Sequence, residues 1–183
     1  MEYPLKIVIV GASGKMGQTL IQQISTDSDL TLTGAIDQPS CNSLGMDSGA
    51  LVGIKTGVMI DEDFESTIKK GDYLIDFTRP EASMRYLEVC NKNNVKYILG
   101  TTGFSDEEKR KISRAAENIS ICFAPNMSVG VNLLVSLVEE ATNVLHKDFD
   151  IEIIESHHSE KIDAPSGTAI RLGEVIAKAA NLN

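Results

Sequence analysis

Short runs of consecutive hydrophobic residues recur along the first 123 residues, separated by stretches whose hydrophobic residues repeat at helical spacing. The first run, residues 6–10, is rich in β-branched side chains, which is typical of a parallel strand buried on both faces. A second strand is expected at residues 30–36, and further hydrophobic runs follow at residues 73–77, 95–99 and 119–123. Strands that alternate with helical segments predict a doubly wound parallel α/β sheet.

The segments between the strands carry helix signals. A helix is expected soon after the first strand, with four hydrophobic side chains on one face: Met16, Leu20, Ile21 and Ile24. Pro80 opens a helix over residues 81–91, and residues 105–108 fit a capping box before a helix over residues 109–118. Residues 38–57 contain glycines and no regular pattern, so we expect an irregular loop with at most one short strand at its end.

A glycine-rich turn joins the first strand to the first helix, with Gly11, Gly14 and Gly17 in it and Asp37 twenty positions beyond. In this context the pattern indicates a Rossmann-like dinucleotide site. Small residues let the pyrophosphate approach the amides at the helix N-terminus, and a carboxylate at the end of the second strand accepts hydrogen bonds from the ribose. The alternative is that the glycines serve only a tight turn.

Asp37 also bears on the choice of cofactor. A carboxylate repels a ribose 2′-phosphate, and Gln38 beside it supplies no cation, so we expect NADH to be preferred. Lys15, inside the loop, could still reach a 2′-phosphate, so use of NADPH stays open. Three further loops, at residues 77–80, 100–103 and 124–127, follow predicted strands, where ligands of such sheets bind.

The pattern changes after Asn126. A long amphipathic helix over residues 130–145 precedes a strand over residues 150–155 and a helix over residues 168–180. We interpret residues 1–126 as a dinucleotide-binding domain and residues 127–183 as the start of an α+β domain for substrate binding and oligomerisation. One strand and two helices cannot pair both edges of the strand, so the second domain is expected to be incomplete.

Residues 155–169 gather chemically active side chains. His157 and His158 follow the predicted strand on opposite sides, and Lys161 lies four residues beyond His157. Pro165 then ends a turn, and residues 166–168 begin a helix whose first amides can hold an anion. This combination predicts a site for a small acidic substrate with proton transfer. The alternative is exposed histidines, a solvated lysine and a serine cap; His146, near the end of a helix, is read as a favourable C-terminal charge.

The composition argues against several classes of protein. Hydrophobic residues make up 42% and charged residues 23%, and no hydrophobic run approaches the length of a membrane helix, so a soluble protein is expected. The net charge of -9 with scattered cations argues against nucleic acid. Three distant cysteines indicate reduced thiols in a cytoplasmic protein and no metal site, and nothing near Met1 marks the chain for export.

Several segments together resemble the 4-hydroxy-tetrahydrodipicolinate reductase family, also called dihydrodipicolinate reductase. They are residues 11–17, 76–80, 100–103, 126–131 and 155–169. The resemblance implies NAD(P)H-dependent reduction of a cyclic dicarboxylate with loss of water, in the diaminopimelate route to lysine, by a cytoplasmic homotetramer. It implies His157 as acid/base and Lys161 as proton donor, with His158, Gly167 and Thr168 on the substrate carboxylates. The dinucleotide contacts it implies are Gly11, Ala12, Ser13, Gly14, Lys15, Met16, Asp37, Gly100, Thr101, Thr102, Ala124, Pro125, Asn126 and Met127.

Family members continue well beyond residue 183, adding strands that complete the second domain and form the tetramer. A chain that ends here is therefore expected either to be part of a longer reductase or to bind dinucleotide with little catalysis. Two rival functions remain: a non-catalytic dinucleotide-binding remnant, and another two-domain dehydrogenase acting on an amino acid or semialdehyde.

Overall fold

The structure, a computed structural model, describes residues 4–157 and 164–182. The chain packs into two compact units, one that ends at Ala124 and one that begins at Pro125. Among the described residues, no helix combines the length and hydrophobicity needed to cross a membrane.

The first unit is built on a six-stranded parallel sheet with the strand order β3-β2-β1-β4-β5-β6. The strands are β1 (Leu5–Val10), β2 (Leu30–Ile36), β3 (Ile60–Asp61), β4 (Tyr73–Asp76), β5 (Lys96–Leu99) and β6 (Ile121–Phe123). The predicted Rossmann-like, doubly wound α/β fold is confirmed. The chain order reverses between β1 and β4, and in such sheets ligands bind at the carboxyl ends of the strands beside this reversal.

Both faces of the sheet are buried, which explains the uninterrupted hydrophobic run in β1. Ile7 and Ile9 pack on one face with Ile21 and Ile24 of the first helix. Val8 and Val10 pack on the opposite face, where the core includes Leu87, Tyr97 and Ile112. Since successive strand residues point to opposite faces, a strand covered on both sides needs hydrophobic residues at every position.

Four helices flank this sheet: α1 (Lys15–Thr26), α2 (Phe64–Ile68), α3 (Pro80–Asn93) and α4 (Asp106–Ala115). The predicted capping box is present, with reciprocal bonds between Ser105 and Glu108, and α4 begins immediately after Ser105 rather than at residue 109. A capping serine lies outside the helix that it starts, so the acidic residues of the box already form the first turn. The short helix α2 was not predicted, because five residues are too few for a helical repeat to be visible.

The loop after β2 is irregular, as expected, but it is held by one carboxylate. Asp47 accepts hydrogen bonds from the amides of Gly49, Thr56 and Gly57 and from the Thr56 hydroxyl, at 2.7–3.0 Å. A 3-10 turn, Ala50–Val52, lies inside this closed loop, and β3 follows it. The side-chain nitrogen of Gln18 in α1, Nε2, donates to Ser48 O at 3.3 Å, which connects the loop to the helix.

The second unit contains two helices that pack together, α5 (Val129–Leu145) and α6 (Gly167–Ala179). Ser128 caps α5 and Ser166 caps α6, each through its side-chain oxygen. The strand predicted over residues 150–155 was wrong: residues 150–157 form no strand among the described residues. A strand needs a neighbour for its backbone hydrogen bonds, and the described part of this unit offers none, so Ile154 stays 91% exposed.

Candidate functional site

The glycine turn between β1 and α1 is closed by backbone contacts that leave no room for side chains. Gly11 has a φ of +68°, and its oxygen accepts from Gly14 N at 3.0 Å. A Cβ on Gly17 would lie 2.2 Å from Gly11 O and 2.9 Å from the Ala12 Cα. Helix α1 therefore starts directly against the turn, which is the arrangement that the spacing of the glycines predicts.

The N-terminus of α1 is open to an anion. Its N-cap, Gly14, has no side chain to bond the first amides, and the first turn contains no acidic residue. The first amides of a helix lack partners within the helix and carry a partial positive charge, so they suit a phosphate. Lys15 and Met16 at this end are exposed. Met16 therefore does not share the buried face of α1 with Ile21 and Ile24, contrary to the prediction from its spacing.

Asp37 lies at the end of β2 and bonds back to the glycine turn. Its Oδ2 accepts from the amide of Ser13 at 2.8 Å and from the Ser13 hydroxyl at 2.6 Å, and its Oδ1 accepts from Gln38 N at 2.8 Å. Ala12 N donates to Ile36 O at 3.0 Å, so three hydrogen bonds join the turn to the end of the strand. A carboxylate has about four acceptor positions, so Asp37 keeps room for one further donor.

The carboxyl ends of β4 and β5 are joined through Asp76, whose side chain is fully buried. Asp76 was part of a family motif in the sequence but was not predicted as a site residue. Its two oxygens accept five hydrogen bonds, from Thr78 N and from four hydroxyls: Thr78, Ser83, Tyr97 and Thr101. Burial, followed by the charge of Asp76, raises the pKa of Tyr97 well above its usual value.

The loop after β5 contains Gly100, Thr101 and Thr102. A Cβ on Gly100 would lie 2.1 Å from Cε1 of the Phe77 ring, so only glycine fits beneath that ring. Thr101 is buried at 3% exposure and Thr102 is exposed. The structure thus brings the glycine turn, Asp37 and the loop after β5 to the carboxyl edge of one sheet.

The loop after β6 is divided between the two units. Ala124 belongs to the first unit, and its amide donates to Leu99 O at 3.2 Å. Pro125, Asn126 and Met127 belong to the second unit, where Asn126 Oδ1 accepts from Ser128 N at 2.8 Å beside the start of α5.

In the second unit, Glu155 connects His157 to the start of α6. Its Oε1 accepts from Ser166 N at 2.8 Å, its Oε2 accepts from the Ser166 hydroxyl, and His157 Nδ1 lies 3.5 Å from the same Oε2. Ser166 in turn accepts from Ala169 N at 3.1 Å. Glu155 is a residue that sequence reasoning missed, because its partner Ser166 lies eleven positions away.

A cavity of about 570 Å³ lies beside this junction, lined by Ile153, Glu155, Ala164, Pro165, Ala169 and Ile170. Gly167 is exposed and has open space where a Cβ would be, and Thr168 is partly buried. Ser166 caps α6 through Ala169 N, so the amides of Gly167 and Thr168 are the donors that this helix start can offer to an anion, and His157 nearby can move a proton.

Three of the histidines and lysines discussed from the sequence lie outside these sites or outside the described part of the chain. His158 and Lys161 lie outside the described residues. His146 ends α5, with its Nδ1 2.9 Å from Thr142 O. Within residues 4–157 and 164–182, no three His, Cys, Asp or Glu side chains are arranged to hold a metal ion.

The chain matches two family models in order. Residues 5–127 match the model described as "Dihydrodipicolinate reductase, N-terminus", and residues 130–182 match "Dihydrodipicolinate reductase, C-terminus".

Named relatives point the same way. The 4-hydroxy-tetrahydrodipicolinate reductase of Neisseria meningitidis serogroup C is 48% identical over 176 residues, and that of Janthinobacterium sp. (strain Marseille) is 51% identical over 175. Each alignment covers 96% of this chain and 65% of the relative, so the chain spans about two thirds of the length of these curated relatives. A solved structure, dipicolinate-bound dihydrodipicolinate reductase from Paenisporosarcina sp. TG-14, superposes with a TM-score of 0.74 at 31% identity, covering 96% of this chain and 66% of that one.

Proposed function

Because this chain belongs to the dihydrodipicolinate reductase family, we propose that it reduces 4-hydroxy-tetrahydrodipicolinate to tetrahydrodipicolinate with NAD(P)H, in the diaminopimelate route to lysine. The observation that carries the proposal is the ordered match of both family models along the chain. The glycine turn supports it independently, because its backbone contacts leave the start of α1 open to a phosphate.

We assign dinucleotide binding to the carboxyl edge of the sheet. The residues present fit the group: the N-terminus of α1 has no side-chain cap, and Asp37 keeps one acceptor position for a ribose hydroxyl. In the first unit the set comprises Gly11, Ala12, Ser13, Gly14, Lys15, Met16, Asp37, Gly100, Thr101, Thr102 and Ala124. Pro125, Asn126 and Met127 belong to the second unit and are proposed as contacts on the family resemblance alone. When bound, the reduced nicotinamide supplies a hydride to the substrate ring.

We propose that NADH is preferred over NADPH. Asp37 is held by Ser13 at the end of β2, so its charge cannot swing away from a 2′-phosphate without breaking two hydrogen bonds. The exposed Lys15 offers a cation that keeps some activity with NADPH. Michaelis constants for the two cofactors test this, and a clear preference for NADPH would contradict it.

Substrate binding is proposed for the start of α6. The solved relative from Paenisporosarcina is bound to dipicolinate, a dicarboxylate, and the helix start around Gly167 and Thr168 offers amides for such a group. His158 would contribute a further contact. His157 is the proposed acid/base residue and Lys161 the proposed proton donor, since a ring that receives hydride accumulates negative charge that a nearby cation can neutralise.

Glu155 gives His157 a defined orientation in this proposal. Its Oε2 lies 3.5 Å from His157 Nδ1, which leaves the Nε2 side of the ring for the substrate. The same carboxylate holds Ser166, so the imidazole and the start of α6 share one anchor.

The activity is tested by following NADH oxidation with substrate generated from pyruvate and aspartate semialdehyde by the condensing enzyme. Oxidation only when both precursors and that enzyme are present supports the proposal. NADH binding without oxidation would favour a non-catalytic dinucleotide-binding protein, and oxidation with aspartate semialdehyde alone would favour a different dehydrogenase.

Variants test the residue assignments. His157→Ala and Lys161→Ala should each lower turnover by roughly 10²–10⁴ with little change in NADH affinity. His146→Ala and Lys147→Ala are matched controls of the same residue types at the end of α5 and should leave turnover unchanged. An equal loss of turnover and NADH affinity in the first pair would mean that these residues are structural.

From the family resemblance we also propose that the protein is a cytoplasmic homotetramer. Leu133, Leu134 and Leu137 of α5 are 46–59% exposed, which leaves hydrophobic surface for an interface. Sedimentation equilibrium measures the oligomeric state, and a monomer at micromolar concentration would contradict the tetramer.

A further inference from the structure

Asp76 is a buried carboxylate with no cationic partner in the described part of the chain. Its side chain is 0% exposed, and none of the ion pairs between described residues includes it. Burying an unpaired charge is unfavourable unless hydrogen bonds replace the lost water. Here five donors surround the two oxygens, so the sheet edge is organised around this one group.

The two oxygens of Asp76 face different parts of the first unit. Oδ1 accepts from the amide and hydroxyl of Thr78, at 2.7 and 2.6 Å, and from the hydroxyl of Thr101 at 3.2 Å. These donors belong to the loops that follow β4 and β5. Oδ2 accepts from Ser83 Oγ in α3 at 2.6 Å and from Tyr97 OH in β5 at 2.5 Å. Oδ1 therefore holds the two loops and Oδ2 holds α3 and β5, while a hydrogen bond of 3.1 Å from Ser83 Oγ to Thr101 Oγ1 links the two sides.

The loop side extends to a third element, the glycine turn. The Thr78 methyl group, Cγ2, lies 3.0 Å from the position that a Cβ on Gly11 would occupy. The hydroxyl of the same residue is fixed on Asp76, so the direction of the methyl group against the turn is fixed as well. A displacement of Thr78 would move the methyl group that lies against Gly11.

From this arrangement we infer that Asp76 is a positioning residue for the dinucleotide: it fixes the glycine turn and the loops after β4 and β5 relative to one another. The inference rests on the proposed function, which assigns Gly11 and Thr101 to dinucleotide contacts. Asp76 itself is buried and acts through Thr78 and Thr101. A purely structural carboxylate would need both oxygens for stability, whereas this role assigns ligand affinity to Oδ1 alone.

Two variants distinguish the roles of the two Asp76 oxygens. Each removes one short hydrogen bond to one oxygen and keeps most of the side-chain volume. Thr78→Val removes the hydroxyl on Oδ1 and retains a methyl group against Gly11; Tyr97→Phe removes the hydroxyl on Oδ2. We expect Thr78→Val to raise the dissociation constant for NADH roughly tenfold, the equivalent of one hydrogen bond to a charged group. Tyr97→Phe should lower the urea midpoint and leave NADH affinity within about twofold.

NADH binding is measured by fluorescence titration, and folding is checked by far-UV circular dichroism. Ser83 is unsuitable as a second core-side position, because its Oγ also donates to Thr101 Oγ1 at 3.1 Å. If Tyr97→Phe does not fold, the two KM values of Thr78→Val decide. In turnover assays, Thr78→Val should raise the KM for NADH and leave the KM for the dicarboxylate unchanged, a split that general destabilisation does not produce.

Three outcomes overturn the inference. If Thr78→Val and Tyr97→Phe change NADH affinity equally, or if Thr78→Val changes it by less than about twofold, Asp76 is structural only. If the parent protein binds no NADH at all, the proposed dinucleotide function fails, and the positioning role fails with it. The first two results leave NADH binding by the parent intact, so the two failures are distinguishable.

Discussion

Gly17→Ala is the substitution that most directly tests the glycine turn. In the interior of an ordinary helix, replacing glycine by alanine stabilises by about 1 kcal/mol, because the unfolded chain loses freedom and the helix gains a better former. At Gly17 the added Cβ would lie 2.2 Å from Gly11 O, far inside van der Waals contact. The substitution should therefore destabilise the protein, the reverse of its usual effect.

The size of the effect follows from what surrounds the added methyl group. Its nearest neighbours are Gly11 O, the Ala12 Cα at 2.9 Å and Ala12 O at 3.0 Å, and backbone atoms cannot rotate away as a side chain can. Overpacking costs about 1–3 kcal/mol, and a clash with rigid backbone belongs at the upper end, about 3 kcal/mol. Subtracting the helix gain of about 1 kcal/mol leaves a net loss of about 2 kcal/mol.

Tyrosine fluorescence during urea unfolding measures this loss in the first unit, because all four tyrosines precede residue 98 and the chain has no tryptophan. The displaced turn should also weaken NADH binding by about tenfold or more, since a shift of about 1 Å in a binding loop has large effects. Gly173→Ala is the matched control within α6: the nearest atom to its Cβ would be Ile153 Cδ1 at 3.8 Å, an ordinary contact. It should stabilise α6 by up to about 1 kcal/mol, which far-UV circular dichroism during urea unfolding measures because the second unit has no tyrosine. If Gly17→Ala is as stable as the parent, the close approach of α1 to the turn is refuted.

Three further predictions concern the first unit. The backbone amide of Thr56 lowers the pKa of Asp47 from 3.8 to about 2, so the stability it contributes is present above pH 3.8 and is lost as the pH falls through about 2. Asp47→Asn should therefore lower the urea midpoint at pH 7 and approach the parent near pH 2. Burial raises the pKa of Cys90 to about 12, so mass spectrometry should find alkylation at exposed Cys122 long before Cys90. Ser105→Ala should cost about 1 kcal/mol in urea unfolding through loss of the N-cap of α4, and an unchanged midpoint would contradict the capping box.

The sheet could be predicted from the sequence because each strand carries its own signal. Residues 30–36 were predicted and found unchanged as β2, in which Leu30 and Leu32 alternate with threonines and the last three residues are buried. The helix ends were less exact: α3 extends to Asn93, two residues past its predicted end, where Asn94 adopts a left-handed conformation with a φ of 57°. Asparagine tolerates that conformation, but composition alone did not show which of several polar residues would take it.

The site could be predicted only where its residues are close in sequence. The glycine turn is a local pattern whose steric reason lies within seven residues, so its spacing sufficed. Asp76 shows the opposite case. Its donors Tyr97 and Thr101 come from another strand and another loop, and nothing near residue 76 indicates that a carboxylate there is fully buried.

Residues 150–157 show how the same limit acts on secondary structure. Alternation predicts which side chains could share a face, but a strand forms only when another segment satisfies its backbone groups. In the described second unit, hydrogen bonds to the Glu155 side chain fix this segment instead. Glu155 accepts from Ser166 at the start of α6 and lies beside His157. Glu155 was counted as the last residue of a strand, yet its carboxylate joins the proposed acid/base residue to the proposed anion-binding helix. Since one charge holds both, Glu155→Gln should impair turnover and dicarboxylate affinity together, whereas loss of a strand residue would affect stability alone.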